Sequence, residues 1–253
     1  MKDEKDEGIE FVIPGGPGER VRPGSRKMMY RNECVRCGEC CSIGSPVLLR
    51  DDLSLFDAGI LNHQNTYTVR EGEMVRSRRD NDLYESAMEL VKIREREGAG
   101  GCVFYEPDVG CVIYEQRPAQ CRAYKCWSSD EMISGLKDTA LRRVDLFAPA
   151  EVLLQVIARH DEKCSYSRLA AALERTADND EAAVEEILDM LQYDAYARPF
   201  LEERFGFPLG GTDLLLGRPL AETIREFGLD VVKEADGYVL RPVAGRSDSE
   251  ETR

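Results

Sequence analysis

Cys34-Val35-Arg36-Cys37-Gly38-Glu39-Cys40-Cys41 places four thiols within eight residues. A second set follows at Cys102, Cys111, Cys121 and Cys126, and only Cys164 stands apart. Scattered cysteines would read as small buried hydrophobes; two sets of four read as a thiolate metal site. Four thiolates hold a zinc ion tetrahedrally, and thiolates also ligate iron–sulfur clusters. The C-x2-C-x2-C part is the tight ligand loop of ferredoxin-type clusters, but no Cys-Pro follows three residues later, so this is not a ferredoxin repeat. Cys40 and Cys41 are adjacent and point their side chains in different directions. Cys41 therefore serves a second site or is a packed or redox-active thiol. Eight thiols accommodate two zinc ions, one cubane cluster with spare thiols, or an interleaved pair of sites.

The surrounding composition narrows the class. A chain of 253 residues buries enough surface to fold without staples, so the cysteines are not needed merely to hold it together. Their number, nine, is odd and fits a fully disulfide-bonded protein poorly. Residues 1–10, MKDEKDEGIE, are charged and lack the apolar stretch of an export signal. No run of eighteen apolar residues occurs, so no membrane span is expected. The expectation is a cytoplasmic protein, where dense cysteines favour metal binding or catalysis over disulfides. The net charge is −14, with 23 acids and 12 bases in residues 145–253. That acidity argues against nucleic acid as a partner and leaves another protein as the expected one. Local basic runs (Arg20 to Arg36, Arg76 to Arg79, and Arg117, Arg122 and Lys125) flank the cysteines. They fit cations that balance thiolate charge, or equally ordinary solvated surface.

In chain order, residues 1–30 read as an irregular Pro/Gly-rich lead-in. Its Gly-rich piece lacks a Gly-Lys-Ser/Thr ending and is no phosphate loop. Pro46 to Leu49 reads as extended, and Asp51 and Asp52 suit a helix start. Tyr67 to Val69 is strand-like. Leu83 to Arg96 carries helical spacing, while Val91 and Ile93 also suit a strand, so this segment stays open. Cys102-Val103-Phe104-Tyr105 and Cys111-Val112-Ile113-Tyr114, split by Glu106 to Gly110, predict a hairpin with a cysteine opening each strand. Arg117-Pro118 then starts a turn or helix that delivers Cys121 and Cys126. Helical stripes follow at Val152 to Ile157, Leu169 to Leu173 and Val184 to Ala195, with Pro199 as an interruption. A short helix over Pro219 to Phe227 closes at Gly228, and Asp236-Gly237 marks a hairpin. The division expected is a lead-in at 1–30, a cysteine-cluster domain at 31–144, a helical segment at 145–206, a helix and hairpin at 207–245, and a tail at 246–253. The fold class is α+β.

Cys34-x2-Cys37-x2-Cys40-Cys41, Cys102-Val-Phe-Tyr, Cys111-Val-Ile-Tyr114-Glu115 and Arg117-Pro118-x2-Cys121-Arg122 with Cys126 together resemble the CxxCxxCC family, the YkgJ-type zinc- or iron-chelating domain. The resemblance covers about residues 31–127. It implies an iron–sulfur cluster, of the 4Fe–4S kind, or zinc at Cys34, Cys37, Cys40, Cys41, Cys102, Cys111, Cys121 and Cys126. Members related to flagellar lysine N-methylases imply a link to protein methylation, although no S-adenosylmethionine motif is legible. Other groups read more plainly. His63, one of two histidines, sits in a polar loop; Cys164 reads as a bystander. Tyr105, Tyr114, Tyr124 and Trp127 read as small-domain core, with shielding of a cluster as the rival. The C-terminal carboxylates read as solvated helix faces, and no Ser/His/Asp arrangement appears, so catalytic residues stay unassigned. Two functions emerge: an iron–sulfur protein serving a redox or modifying system, or a zinc-stapled interaction module.

Overall fold

In a computed structural model, residues 33–76, 82–98, 100–125, 136–234 and 237–243 are described. Cys126, Trp127, Arg78, Arg79, the lead-in at 1–30 and Asp236 of the expected turn lie outside them. The cysteine loop runs into α1 (Glu39–Ile43), entered through Gly38 at φ 81°. A Cβ on Gly38 would lie 2.1 Å from the Tyr105 ring, so glycine is required twice there, for the left-handed backbone and for the close approach. A single tight turn at Arg50–Asp52 leads into α2 (Leu53–Asp57). Next come β1 (Thr66–Val69), β2 (Met74–Arg76), β3 (Leu83–Glu85) and β4 (Leu90–Ile93). β1 pairs antiparallel with β4, and β2 with β3. The open segment at Leu83 to Arg96 thus holds two strands, β3 and β4, and no helix. Val91 and Ile93 are fully buried on one face, while Lys92 turns to Tyr67 and Glu95. That alternation of period two has won over the helical spacing.

A short hairpin follows, β5 (Tyr105–Glu106) and β6 (Gly110–Cys111), with Tyr105 opposite Cys111. It is smaller than expected. Cys111 lies in its second strand, but Cys102 precedes the first and bridges instead to Glu95. The chain continues through α3 (Ala119–Ala123), α4 (Leu136–Thr139) and α5 (Arg143–Phe147). Then come α6 (Glu151–Lys163), α7 (Tyr166–Thr176) and α8 (Glu181–Phe205). The Asp180 side chain caps α8 by accepting from Ala182 N at 3.0 Å, and Gly206 ends it at φ 63°. Pro199 does not interrupt α8. It lies on the exposed face, and buried Arg198 and Leu201 beside it hold the helix on course. The chain ends through α9 (Thr212–Leu216), α10 (Leu220–Thr223) and the hairpin of β7 (Leu229–Glu234) and β8 (Gly237–Pro242).

One apolar core joins Leu48, Leu55, Leu61, Val91, Ile93, Cys102 and Leu141 to Leu214 of α9. A second packs Tyr166, Leu169, Ile187, Met190 and Leu191 against Leu220 and Ile224. Each fully buried leucine contributes about 1.5–3 kcal/mol. The two halves of the chain are also tied by polar bonds. Thr68 Oγ1 donates to Leu214 O at 2.7 Å, and buried Arg143 reaches Glu89, Asp161 and Leu215 O. The described residues from Cys34 onward accordingly form one unit. No helix among the described residues is long and apolar enough to cross a membrane.

Candidate metal centre

Two of the thiols sit at the first core. Cys102 is part of that core, and Cys41 packs against it. Cys102 N donates to Cys41 O at 2.7 Å, so the start of the second cysteine set is bonded to the end of the first. Gly101 permits this approach, since a Cβ there would meet Cys41 O at 2.7 Å. Cys121 arrives on α3, whose placement is set by two distant groups. Asp52, fully buried, accepts from Leu49 N at 2.9 Å and from Ala119 N at 2.7 Å. Gln120 Oε1 accepts from Val47 N at 2.6 Å. A carboxylate at the N-terminus of α3 also meets the helix's free N–H groups and positive end. Sequence reading placed Asp52 at the start of its own helix; its tie to α3, 67 residues away, has no local signature.

The sulfurs form an electrostatically linked set. Cys40 and Cys41 are 4.0 Å apart. The hydrogen bond from Cys41 lowers Cys40 to about 6, and Cys41 is in turn pushed far up by the shared proton and burial. Burial pushes Cys102 up to about 11 and Cys121 up to about 12. Cys121 also feels charge on Cys102, Cys40 and Cys111, and Cys111 feels Cys34. Six of the eight expected ligands, Cys34, Cys40, Cys41, Cys102, Cys111 and Cys121, are therefore brought into one neighbourhood. Cys37 lies exposed on the outer side of the loop, where its carbonyl accepts from Tyr105 OH at 3.5 Å. Cys126 falls outside the described residues. All the described cysteines are free thiols.

The donor set fits a thiophilic cation in kind. It is all sulfur, half-buried against an apolar wall, and flanked by the buried, unpartnered Nε donors of Arg96 and Arg117. Among the described residues no three Cys, His, Asp or Glu side chains already converge on one point. The sequence of residues 33–147 matches the family model CxxCxxCC, described as "Putative zinc- or iron-chelating domain". That stretch, just under half of the chain, is similar to CxxCxxCC domains. The match reaches beyond Cys126, through α5, and leaves Cys164 and the long helices α6 to α8 outside it. No curated protein and no solved structure matches the chain.

The remaining candidates resolve as structure. His63 packs on Gly211 and lies 6.4 Å from the Phe207 ring. Cys164 is fully buried at the junction of α6 and α7, its thiol donating to Met190 O at 3.5 Å. Tyr105 and Tyr114 touch the cysteine loop through Cys37 O and Cys34 O. The reading of the C-terminal carboxylates as solvated faces fails at Asp194, only 2% exposed. Asp194 accepts from His160 Nε2 at 2.8 Å and from Arg198 at 2.9 Å, and it receives Leu220 N at 2.9 Å. Burial alone would raise its pKa, but the His160 hydrogen bond and the Arg198 charge hold it well below the usual carboxylate range. Desolvation keeps His160 neutral and its pKa low. This buried trio locks α6, α8 and α10 together. From sequence, its one visible sign is the i, i+4 spacing of Asp194 and Arg198.

Proposed function

We propose that the CxxCxxCC-like domain is a thiolate-ligated metal centre that carries an iron–sulfur cluster, and that the helical half presents it to a protein partner. The observation that carries the reading is the electrostatic linkage of six thiols from separate stretches of chain, two of which, Cys41 and Cys102, pack at one apolar core. The tight C-x2-C-x2-C loop supports iron–sulfur over a lone ion. A partner protein is supported by the strip of Tyr196, Phe200 and Phe205 on the outer side of α8. Tyr196 is 66% exposed and stacks on Phe200 at 5.8 Å. In this role the protein is an accessory of a redox or protein-modifying system, methylation included. A zinc-stapled interaction module is the second reading, favoured by a family description that names zinc beside iron.

Purification without oxygen, followed by metal and sulfide analysis with a visible spectrum, separates the two. Iron with acid-labile sulfide and a broad charge-transfer band is the expected result. Stoichiometric zinc with no visible absorption would replace the cluster reading with the zinc one. Protein that takes up neither metal would overturn both.

A further inference from the structure

Arg36 stands in the left-handed region at φ 58°. Among the described residues the other such non-glycine residue is Asn179, and asparagine tolerates that conformation where arginine does not. Something must hold Arg36 there. Its guanidinium lies over the Tyr114 ring at 3.8 Å from the centroid, and it pairs with Glu115 at 3.1 Å. Arg117 lies over the same ring at 4.0 Å and donates to Tyr114 O at 2.8 Å. Two guanidiniums at those distances cannot share one face, so Tyr114 is held between them. The Tyr114 hydroxyl reaches Cys34 O at 3.5 Å, and Arg36 N reaches the Cys34 sulfur at 3.4 Å. Arg36 also lies close to Gly110, where a Cβ would meet Arg36 Cβ at 3.3 Å and its carbonyl oxygen at 3.5 Å. These contacts pin the Cys34 end of the first loop against the turn that follows Cys111.

We propose that Arg36 and Arg117 are positioning residues that clamp Tyr114 so that Cys34 and Cys111 serve the same centre, and that their paired charge balances its thiolates. The inference rests on the metal-centre reading above. A dication held by four thiolates is a dianion, which attracts both guanidiniums; Glu115 offsets part of the charge of Arg36. The unpartnered Nε of Arg117 is a donor free for a sulfur acceptor. Neither arginine is asked to be a ligand.

The test uses the full chain and compares wild type with Tyr114→Leu, Tyr114→Phe, Arg117→Gln and Arg117→Lys. Zinc affinity is read by competition with a chromophoric chelator, and thiolate ligation by the sulfur-to-metal charge-transfer band after cobalt(II) loading. Loss of an orienting partner weakens metal binding about 10- to 100-fold, so Tyr114→Leu and Arg117→Gln should fall in that range with a weaker cobalt band. Tyr114→Phe and Arg117→Lys, which keep ring and charge, should recover most of it. Trypsin cleavage after Arg36 in the metal-free chain should accelerate in Tyr114→Leu, which tests the clamp without any metal. A Tyr114→Leu chain with affinity within about twofold of wild type and an unchanged cobalt band would overturn the proposal while leaving the metal centre standing. A wild-type chain that binds neither zinc nor cobalt would overturn the metal centre and this role together.

Discussion

Asp52→Ala is the sharpest perturbation of the scaffold behind the cysteines. Asp52 is fully buried and accepts two backbone N–H groups, Leu49 N at 2.9 Å and Ala119 N at 2.7 Å. A hydrogen bond to a charged group contributes about 1.5–3 kcal/mol, and a buried donor left without an acceptor costs about 1–3 kcal/mol. The two donors differ in how easily they find water. Leu49 directly follows Leu48 of the first core, while Ala119 is the first residue of α3. Counting one full loss and one partial loss, the variant should be destabilised by about 3 kcal/mol. Urea unfolding followed by far-UV circular dichroism measures this as a lower midpoint at unchanged slope. Because Asp52 holds α3 and so Cys121, the variant should also lose metal affinity even where it stays folded. A loss of stability below about 1 kcal/mol would refute the idea that this carboxylate fixes α3.

Other expectations follow from the same contacts. Asp194 has a depressed pKa in the folded chain, so its contribution is present above the unfolded value of about 4 and is lost as pH falls through and below it. His160 is also depressed, so protonation of the unfolded state near pH 6.5 begins the loss. Stability should therefore decline below about pH 6 and steepen below about pH 4, and Asp194→Asn should flatten the lower part of an acid titration followed by tryptophan-independent far-UV signal. In the metal-free chain at neutral pH, brief iodoacetamide treatment read by peptide mass should mark Cys40 and exposed Cys37 ahead of buried Cys102 and Cys164. Faster labelling of Cys102 would contradict the placement on the core. Cys164→Ala should leave metal content unchanged, as measured by elemental analysis, because that thiol faces Met190 O and not the other sulfurs.

Much of the fold is legible in local pattern. The stripes at Val152 to Ile157, Leu169 to Leu173 and Val184 to Ala195 became α6, α7 and α8, and Asp180 caps the last as its position suggests. Residues whose meaning depends on distant partners were harder to read. Asp52 looks like a helix-start residue until α3 is docked on it, and Asp194 looks like one more surface acid until His160 and Arg198 close around it. Pro199 reads as a break because propensity is local, whereas burial of its neighbours decides the helix. Cys102 and Cys111 looked equivalent in sequence, each opening an apolar run. Only the bridge to Glu95 and the bond to Cys41 O separate their roles. The cysteine pattern is the most readable feature of the sequence, because thiol clustering is chemically uncommon whatever the fold around it.

The central claim is that sulfurs from both cysteine sets converge on one metal centre. X-ray absorption at the edge of the bound metal, on wild type and on Cys121→Ser, tests it most directly. The account predicts a sulfur-dominated shell at about 2.3 Å in the wild type, and loss of sulfur scattering or of bound metal in the variant. A shell of oxygen and nitrogen, or a sulfur count that Cys121→Ser leaves unchanged, would contradict it.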